Sequence, residues 1–249
     1  MPHPSRDEWA IELRDAEQKL VSWAMFDLNV PTLRWQGTPE ATDWWSTLTA
    51  FSGDTLYLHN YLYPDIPEPT DLLAVSGSNG RLQWVLPGWV LVGEEPAAGT
   101  LIVAQKAPES IRYQRCDPQT GLLLGQSDHE NTPASSVLNH RSPTRYQPQD
   151  IYFDVLSSFL EKMIGISSPI AVDYLEADPY LVFSYYLYEQ EKVAQYLLIV
   201  NRAKEILYHE QLSENRQGVG RDTILWKSNR LVCLRNSNEF ISIKLPPLE

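Results

Sequence analysis

The stretch LLAVSGSNGRLQWVLPG, residues 72–88, decides the reading of the fold. An apolar run breaks at Asn79 and Gly80, and an alternating run follows through Trp84. Asn-Gly between two apolar runs is a strong hairpin signal, because a type I′ turn needs positive φ at both central residues. Ser76 stands eight positions before Trp84, and that spacing returns along the chain. FDLNVPTLRW places Asp27 eight before Trp35, and CDPQTGLLLG places Asp117 eight before Gly125. IVNRAKEILYHE places Asn201 eight before His209, with Tyr208 beside it, and LRNSNEFISIK is a weaker copy around Arg235.

These anchors recur at intervals of 49 and 41 residues and then 84, twice the period, where the chain carries an insertion. Periods of about 40–50 residues in a β-rich chain point to propeller blades of four strands. The segments between anchors agree. WWSTLTAFSGDTLYLHNYL, WVLVGEEPAAGTLIVAQK and PIAVDYLEADPYLVFSYYL each supply two strands, the last turning at Asp178 and Pro179. The ends are incomplete, with strands at 9–14 and 19–26 before Asp27, and three near 223–227, 230–235 and 240–245 after His209. The sequence therefore predicts a mainly β, β-propeller-like fold of about five blades of antiparallel strands. It forms one domain over 1–249, and the spacing leaves open whether the ring closes.

YQPQDIYFDVLSSFLEKMIGISS departs from that pattern. Ile151, Val155, Leu156, Phe159, Leu160 and Met163 recur on one helical face, Pro148 and Asp150 suit the start, and Gly165 suits the stop. The spacing predicts one inserted α-helix near 149–164. The polar residues 127–147 before it lack periodicity, and loops of that length usually carry function. The loop and helix together form an insertion at 127–165, whose helix must cover a funnel mouth or a strand edge. His140, Arg141, Arg145 and Tyr146 in the loop are the residues placed to dock a protein partner.

A resemblance emerges at the anchors. The pattern A-x-D-x-x-T-G-x-x-x-W is the blade motif of quinoprotein-type (PQQ-like) β-propellers, and the anchors resemble it. Ala74, Gly80 and Trp84 match it in one unit, with Ser76 and Asn79 replacing the Asp and Thr. Asp117, Thr120 and Gly121 match in the next, with Gly125 for the Trp; Asp27 and Trp35 match in the first, with Pro31 for the Gly. The whole chain also resembles an uncharacterised bacterial family of about this length with Trp-x-Leu and Leu-x-Leu-His stretches, the latter here Leu56, Leu58 and His59. That resemblance implies a bacterial origin and no particular activity. The motif's role is structural: the Asp caps the turn, the Gly supplies its backbone, and the Trp seals the gap between blades. Trp35 and Trp84 are thus expected in the core. True quinoproteins use a larger ring and vicinal cysteines, so the resemblance implies no bound quinone here, and no cofactor is expected.

Charge and motifs narrow the function classes. Twenty Lys and Arg against 32 Asp and Glu give a net charge of −12, scattered and without a basic run. Phosphate binding needs clustered cations, so a nucleic-acid partner is not expected. No apolar stretch approaches the ~20 residues of a membrane span, and MPHPSRDEWAIELRDAEQKL has no signal-peptide core. The sequence points to a soluble, cytoplasmic, acidic monomer. Cys116 and Cys233 lie in no metal or redox spacing and read as reduced core residues.

Catalytic signatures such as G-x-S-x-G, H-E-x-x-H and the phosphate-binding glycine motifs are absent from the sequence. Histidines 3, 59, 129, 140 and 209 lack ligand spacing, so no metal is expected. His59, alternating in TLYLHNYLY, reads as a hydrogen-bonded strand residue, with ligand contact as the sharper alternative. Asp54, Asp65, Glu94, Glu95, Asp173 and Asp178 lie near strand ends, where turn residues are common; paired in a funnel, two of them could do glycosidase chemistry. Trp44, Trp45 and Trp89 could stack a sugar, and a Trp pair in a strand puts one ring on each face. The leading reading is a non-catalytic scaffold that binds another macromolecule, and the rival is a carbohydrate-active or small-ligand-binding propeller.

Overall fold

The computed structural model describes residues 1–30, 32–63, 66–107, 110–127, 140–220, 223–236 and 238–246. Asp65, His129, Glu130 and most of the polar loop lie outside them. The chain divides into two units, Met1–Leu138 and Asn139–Glu249. It is mainly β, with five antiparallel sheets and one helix among the described residues.

The first unit holds three sheets. Sheet 1 is β1 (Glu8–Asp15), β2 (Leu20–Asp27) and β3 (Thr32–Gly37) in that order. Sheet 2 is β4 (Thr47–Ser52), β5 (Thr55–Tyr63), β6 (Ile66–Ser76) and β7 (Leu82–Pro87). Sheet 3 is β8 (Val90–Glu95), β9 (Thr100–Ala107), β10 (Ser110–Cys116) and β11 (Leu123–Gln126). Each is a meander of neighbouring antiparallel strands. Side chains alternate across a strand, and sheet 2 buries both of its faces. Leu56, Leu58, Leu73 and Val75 pack with Trp23 and Met25 of sheet 1. Tyr57, Leu72 and Ala74 pack with Leu101, Val103 and Cys116 of sheet 3. Burial on both faces explains why LLAV is a continuous apolar run.

The repeated anchor is the joint between these sheets. Trp35 of β3 donates its indole N–H to the Gly77 carbonyl at 2.8 Å, in the turn that closes β6 and β7. Its ring lies so close to Gly80 that a Cβ there would stand 2.7 Å from it. Trp84 of β7 repeats the contact one sheet on, donating to the Pro118 carbonyl at 3.1 Å. A Cβ on Gly121 would stand 2.8 Å from its ring. In both turns the glycine N–H bonds back to the anchor carbonyl at 2.9 Å, that of Gly80 to Ser76 and that of Gly121 to Asp117. Both glycines have positive φ, 73° and 72°.

That geometry corrects the expected turn type. Gly80 is left-handed, whereas Asn79 is not among the positive-φ residues, so this is not a two-residue type I′ hairpin. The Ser76 N–H instead bonds the Arg81 carbonyl at 2.8 Å, closing a four-residue loop. Such loops need only one left-handed residue, and the wider loop presents its carbonyl and its bare glycine to the preceding sheet.

In the second unit, sheet 4 is β12 (Thr144–Tyr146), β13 (Ala171–Ala177), β14 (Tyr180–Glu189), β15 (Lys192–Asn201) and β16 (Ile206–Arg216). Sheet 5 is β17 (Ile224–Lys227), β18 (Arg230–Arg235) and β19 (Glu239–Lys244). One face of sheet 4, with Val182, Leu197 and Ile199, packs on Ile224, Trp226 and Leu231 of sheet 5. Helix α1 (Phe153–Ile164) covers the other face, where Phe153 and Leu160 pack with Phe183, Tyr185 and Leu198, and Phe159 stacks on Phe183 at 4.9 Å.

The helix is shorter than predicted. Gln149 has φ 97°, which ends any helical path before it, and Asp150 accepts a hydrogen bond from the Gln147 N–H at 2.6 Å. Residues 148–152 are therefore turns, and Ile151 is 84% exposed rather than part of the buried stripe. Gly165 does cap the helix in the left-handed conformation. The helix covers a sheet face rather than a strand edge, and β12, from the predicted insertion, pairs with β13 as a fifth strand.

Gly80→Ala and Gly53→Ala separate backbone strain from the indole contact. Both positions have positive φ, but Gly53 has open space around its missing Cβ. Strain alone costs about 1 kcal/mol, and forcing a methyl into a packed ring adds about 1–3 kcal/mol. Denaturant melts should show the Gly80 variant as clearly the less stable; equal losses would show that the ring contact does not hold the sheets.

Candidate binding groove

Sheet 3 carries a groove on one face. Val90 of β8, Ala104 of β9 and Tyr113 of β10 are cross-strand neighbours, and Lys106 is opposite Ile111. Partners opposite each other share a face, so these side chains form one floor. Residues 68–71 of β6 and Leu62 of β5 supply the far wall of a cavity of about 670 Å³. Its surface is mainly apolar: Leu62 is 63% exposed, Ile111 56% and Val92 41%. An ion pair between Glu68 and Lys106, 2.5 Å, spans the rim and is well exposed, so it contributes orientation more than affinity.

Among the described residues, β11 pairs with Gln114, Arg115 and Cys116 of β10. The last bond on that side runs from the Ser127 N–H to the Tyr113 carbonyl, 3.0 Å. Residues 110–112 have no described strand beside them there, and a second cavity of about 570 Å³ follows this gap.

The residues proposed from sequence separate into different surroundings. His59 is buried, and its Nε2 accepts the Leu91 N–H at 2.9 Å, tying sheet 2 to sheet 3. Desolvation lowers its pKa to about 4. Trp89 is buried in the core between these sheets, so it offers no free face for a sugar. Trp44 and Trp45 stand in a turn before β4, not in a strand. Trp44 packs on the sheet 1 and 2 core with the Arg14 guanidinium 5.1 Å above its ring, and Trp45 is 39% exposed.

The expected docking residues are mostly used inside the second unit. Arg145 sits opposite Asp173 in the register and holds both of its carboxylate oxygens, at 2.7 and 2.6 Å. Asp173 also accepts from Tyr186, whose hydroxyl meets Thr223; Gln195 donates to Thr223 and Ser184. This buried network engages the Arg145 fork within the second unit. Arg141 forms a backbone bridge with Trp226, at 2.7 and 2.9 Å, and donates to the Glu176 carbonyl. Tyr146 packs against the helix-covered core and edge-on to Tyr152. His140 is half-buried beside the bridge.

The carboxylates also divide. Glu95 pairs with Arg115, and Asp178 with Arg202, each at 2.9 Å. Asp54 and Glu94 do line one cavity, of about 640 Å³, and Glu94 accepts from the Ser52 hydroxyl at 2.9 Å. No group of three His, Cys, Asp or Glu residues among those described is placed to hold a metal. Cys116 and Cys233 are free and buried, and burial pushes their thiols up to about 11 and about 12. No described helix is long and apolar enough to cross a membrane.

Sequence reasoning missed Ile111, Arg112 and Lys106. The alternation in SIRYQR was a usable signal, since it puts Ile111 and Tyr113 on one face and Arg112 on the other. The shortness of β11 had no such signal.

Comparison with known proteins adds likeness without activity. Residues 3–84 match the model of a domain of unknown function (DUF4905), and no quinoprotein-type repeat family is shown. No curated protein matches. Among solved structures, an uncharacterised protein from Listeria monocytogenes EGD-e aligns over 99% of this chain and 94% of its own, at 6% identity and TM-score 0.36. A protein from Lactobacillus plantarum aligns over 96% of this chain and 66% of its own, at 13% identity and TM-score 0.28.

Two buried polar contacts give measurable predictions. His59 has an ordinary pKa of 6.5 when unfolded and about 4 when folded. The unfolded chain thus binds the extra proton between those values, and stability present above pH 6.5 falls as pH drops to about 4. The loss is up to about 3 kcal/mol. Melts of His59→Gln should lack this part of the pH dependence, and a parallel profile would assign it elsewhere. Arg145→Ala strands the buried Asp173 carboxylate and should cost about 3–5 kcal/mol. A melt within 0.5 kcal/mol of the parent, about the range of a surface change, would restore Arg145 as a surface residue.

Proposed function

We propose that this chain is a non-catalytic scaffold of propeller-like blades that binds another protein, as a monomer, through the groove on sheet 3. The groove carries the reading. Exposed apolar side chains gathered in one concavity mark interaction sites more often than scattered ones do. The side chains suggested by sequence for chemistry, by contrast, are engaged in joining strands: His59 of sheet 2 at Leu91 of sheet 3, and, within single sheets, Asp173 at Arg145 and Glu95 at Arg115.

A second reading has one observation in its favour. Asp54 and Glu94 line the same cavity, and a pair of carboxylates is the equipment of sugar hydrolysis. That reading lacks an aromatic platform at the cavity, since Tyr57 there is buried and Trp45 is not among its lining residues.

Partner capture from cell extract with the parent and with Val92→Asp distinguishes them. Val92 is 41% exposed, so a charge there should leave the melt unchanged while removing from the groove any protein the parent retains. Identical captured proteins would overturn the groove as the binding site. Calorimetry of the parent with an oligosaccharide panel is the counter-test: heat of binding that disappears in Asp54→Asn would establish the carbohydrate reading instead.

A further inference from the structure

Asn79 and Gly80 are the one Asn-Gly pair in the chain. Such a pair is prone to lose the side-chain amide as ammonia, because a glycine without a side chain leaves its own nitrogen unshielded. In that reaction the Gly80 nitrogen gives up its proton and bonds to Asn79 Cγ. The Cγ–Nδ2 bond breaks, ammonia carries the proton away, and a cyclic imide remains. Water then opens the ring. Breaking the new bond to Cγ leaves an aspartate at that position. Breaking the bond to the main-chain carbonyl carbon leaves an isoaspartate, whose backbone runs through Cγ and is longer by a methylene.

The turn keeps the two reacting groups in opposite states. Asn79 is exposed, so water reaches it, and its Oδ1 accepts the Arg81 N–H at 3.0 Å. That bond draws charge onto the oxygen and readies Cγ for attack. The nucleophile is withheld, because the Gly80 N–H donates to the Ser76 carbonyl at 2.9 Å. Trp35 holds this arrangement from the neighbouring sheet: its ring lies against Gly80, and its indole N–H takes the Gly77 carbonyl at 2.8 Å. We propose that Asn79 is a modification site gated by the Trp35 indole, reacting only when the joint between sheets 1 and 2 opens. The loop itself closes on the bond from the Ser76 N–H to the Arg81 carbonyl, 2.8 Å. A methylene added inside that loop displaces Gly80 from the ring, so a joint that has opened stays chemically marked and weakened. The site lies at the other end of β6 and β7 from the groove and is independent of any binding there.

The test incubates the full chain in mildly alkaline buffer and follows the Asn79 peptide by digestion and mass spectrometry, reading the gain that replaces an amide by a carboxyl. A synthetic peptide of residues 74–84 sets the ungated rate. The parent should react at least about tenfold more slowly than the peptide, because only the open fraction reacts. Trp35→Phe keeps a ring but loses the bond to Gly77, and should speed the reaction by at least about threefold. Trp84→Phe, the same change at the next joint, should leave the rate at Asn79 unchanged. A parent that reacts as fast as the peptide overturns the gate, as does no acceleration by Trp35→Phe or equal acceleration by both variants. Should Trp35→Phe fail to fold, hydrogen exchange at the Gly80 amide of the parent decides. Exchange slowed by the same factor as the loss of ammonia supports the gate, and exchange as fast as in the peptide overturns it. The isoaspartyl product, separated by chromatography, should melt below the parent, whereas Asn79→Asp should melt near it, since a carboxylate still accepts from Arg81. Equal melts for those two forms would refute backbone lengthening as the source of the weakening.

Discussion

The first unit depends on an indole resting on a glycine. Trp35 and Trp84 each reach from the last strand of their sheet to the turn of the next, where one hydrogen bond and one missing Cβ define the fit. A tryptophan brings a large apolar area, and its N–H must find a partner when buried. The turn carbonyl supplies that partner, and glycine supplies the space. Because the contact has a direction, the series has ends. The first sheet has Pro31 where the glycine would be, and the third has Gly125 where the tryptophan would be.

Stacking sheets face to face has a second consequence. A central sheet with both faces covered has no wet side, so any polar side chain there must be satisfied by a neighbour. His59 meets this demand as a neutral acceptor for the Leu91 N–H. In the second unit the same demand produces a longer chain of bonds from Arg145 through Asp173 and Tyr186 to Thr223 and Gln195. Residue types that suggest catalysis or recognition are spent here on joining strands. Among the described residues, the packing leaves an apolar groove on sheet 3.

Much of this organisation was legible in the residues. Three strands in the first sheet, four in the second and third, and three in the last follow from the anchor spacing and the turn residues between. The structural roles of Trp35 and Trp84 were legible from the motif, and the hydrogen-bonded strand role of His59 from alternation alone. The turn type was not: Asn79 and Gly80 are compatible with several loops, and the docking of Trp35 selects among them. The helix boundary failed for a local reason, the left-handed Gln149, which no periodicity reports.

What the sequence determined by itself is local. Alternation, turn chemistry and a repeated eight-residue spacing dictate strands and hairpins, since these depend on neighbours within a few residues. The tertiary structure decided which polar groups meet. Arg145 and Asp173 are 28 positions apart, and their pairing turned an apparent docking residue into part of a core. It also decided where a strand stops. Strand β11 ends at Gln126 while β10 begins at Ser110, and how far two strands pair is set by their register, which neither strand's own sequence contains.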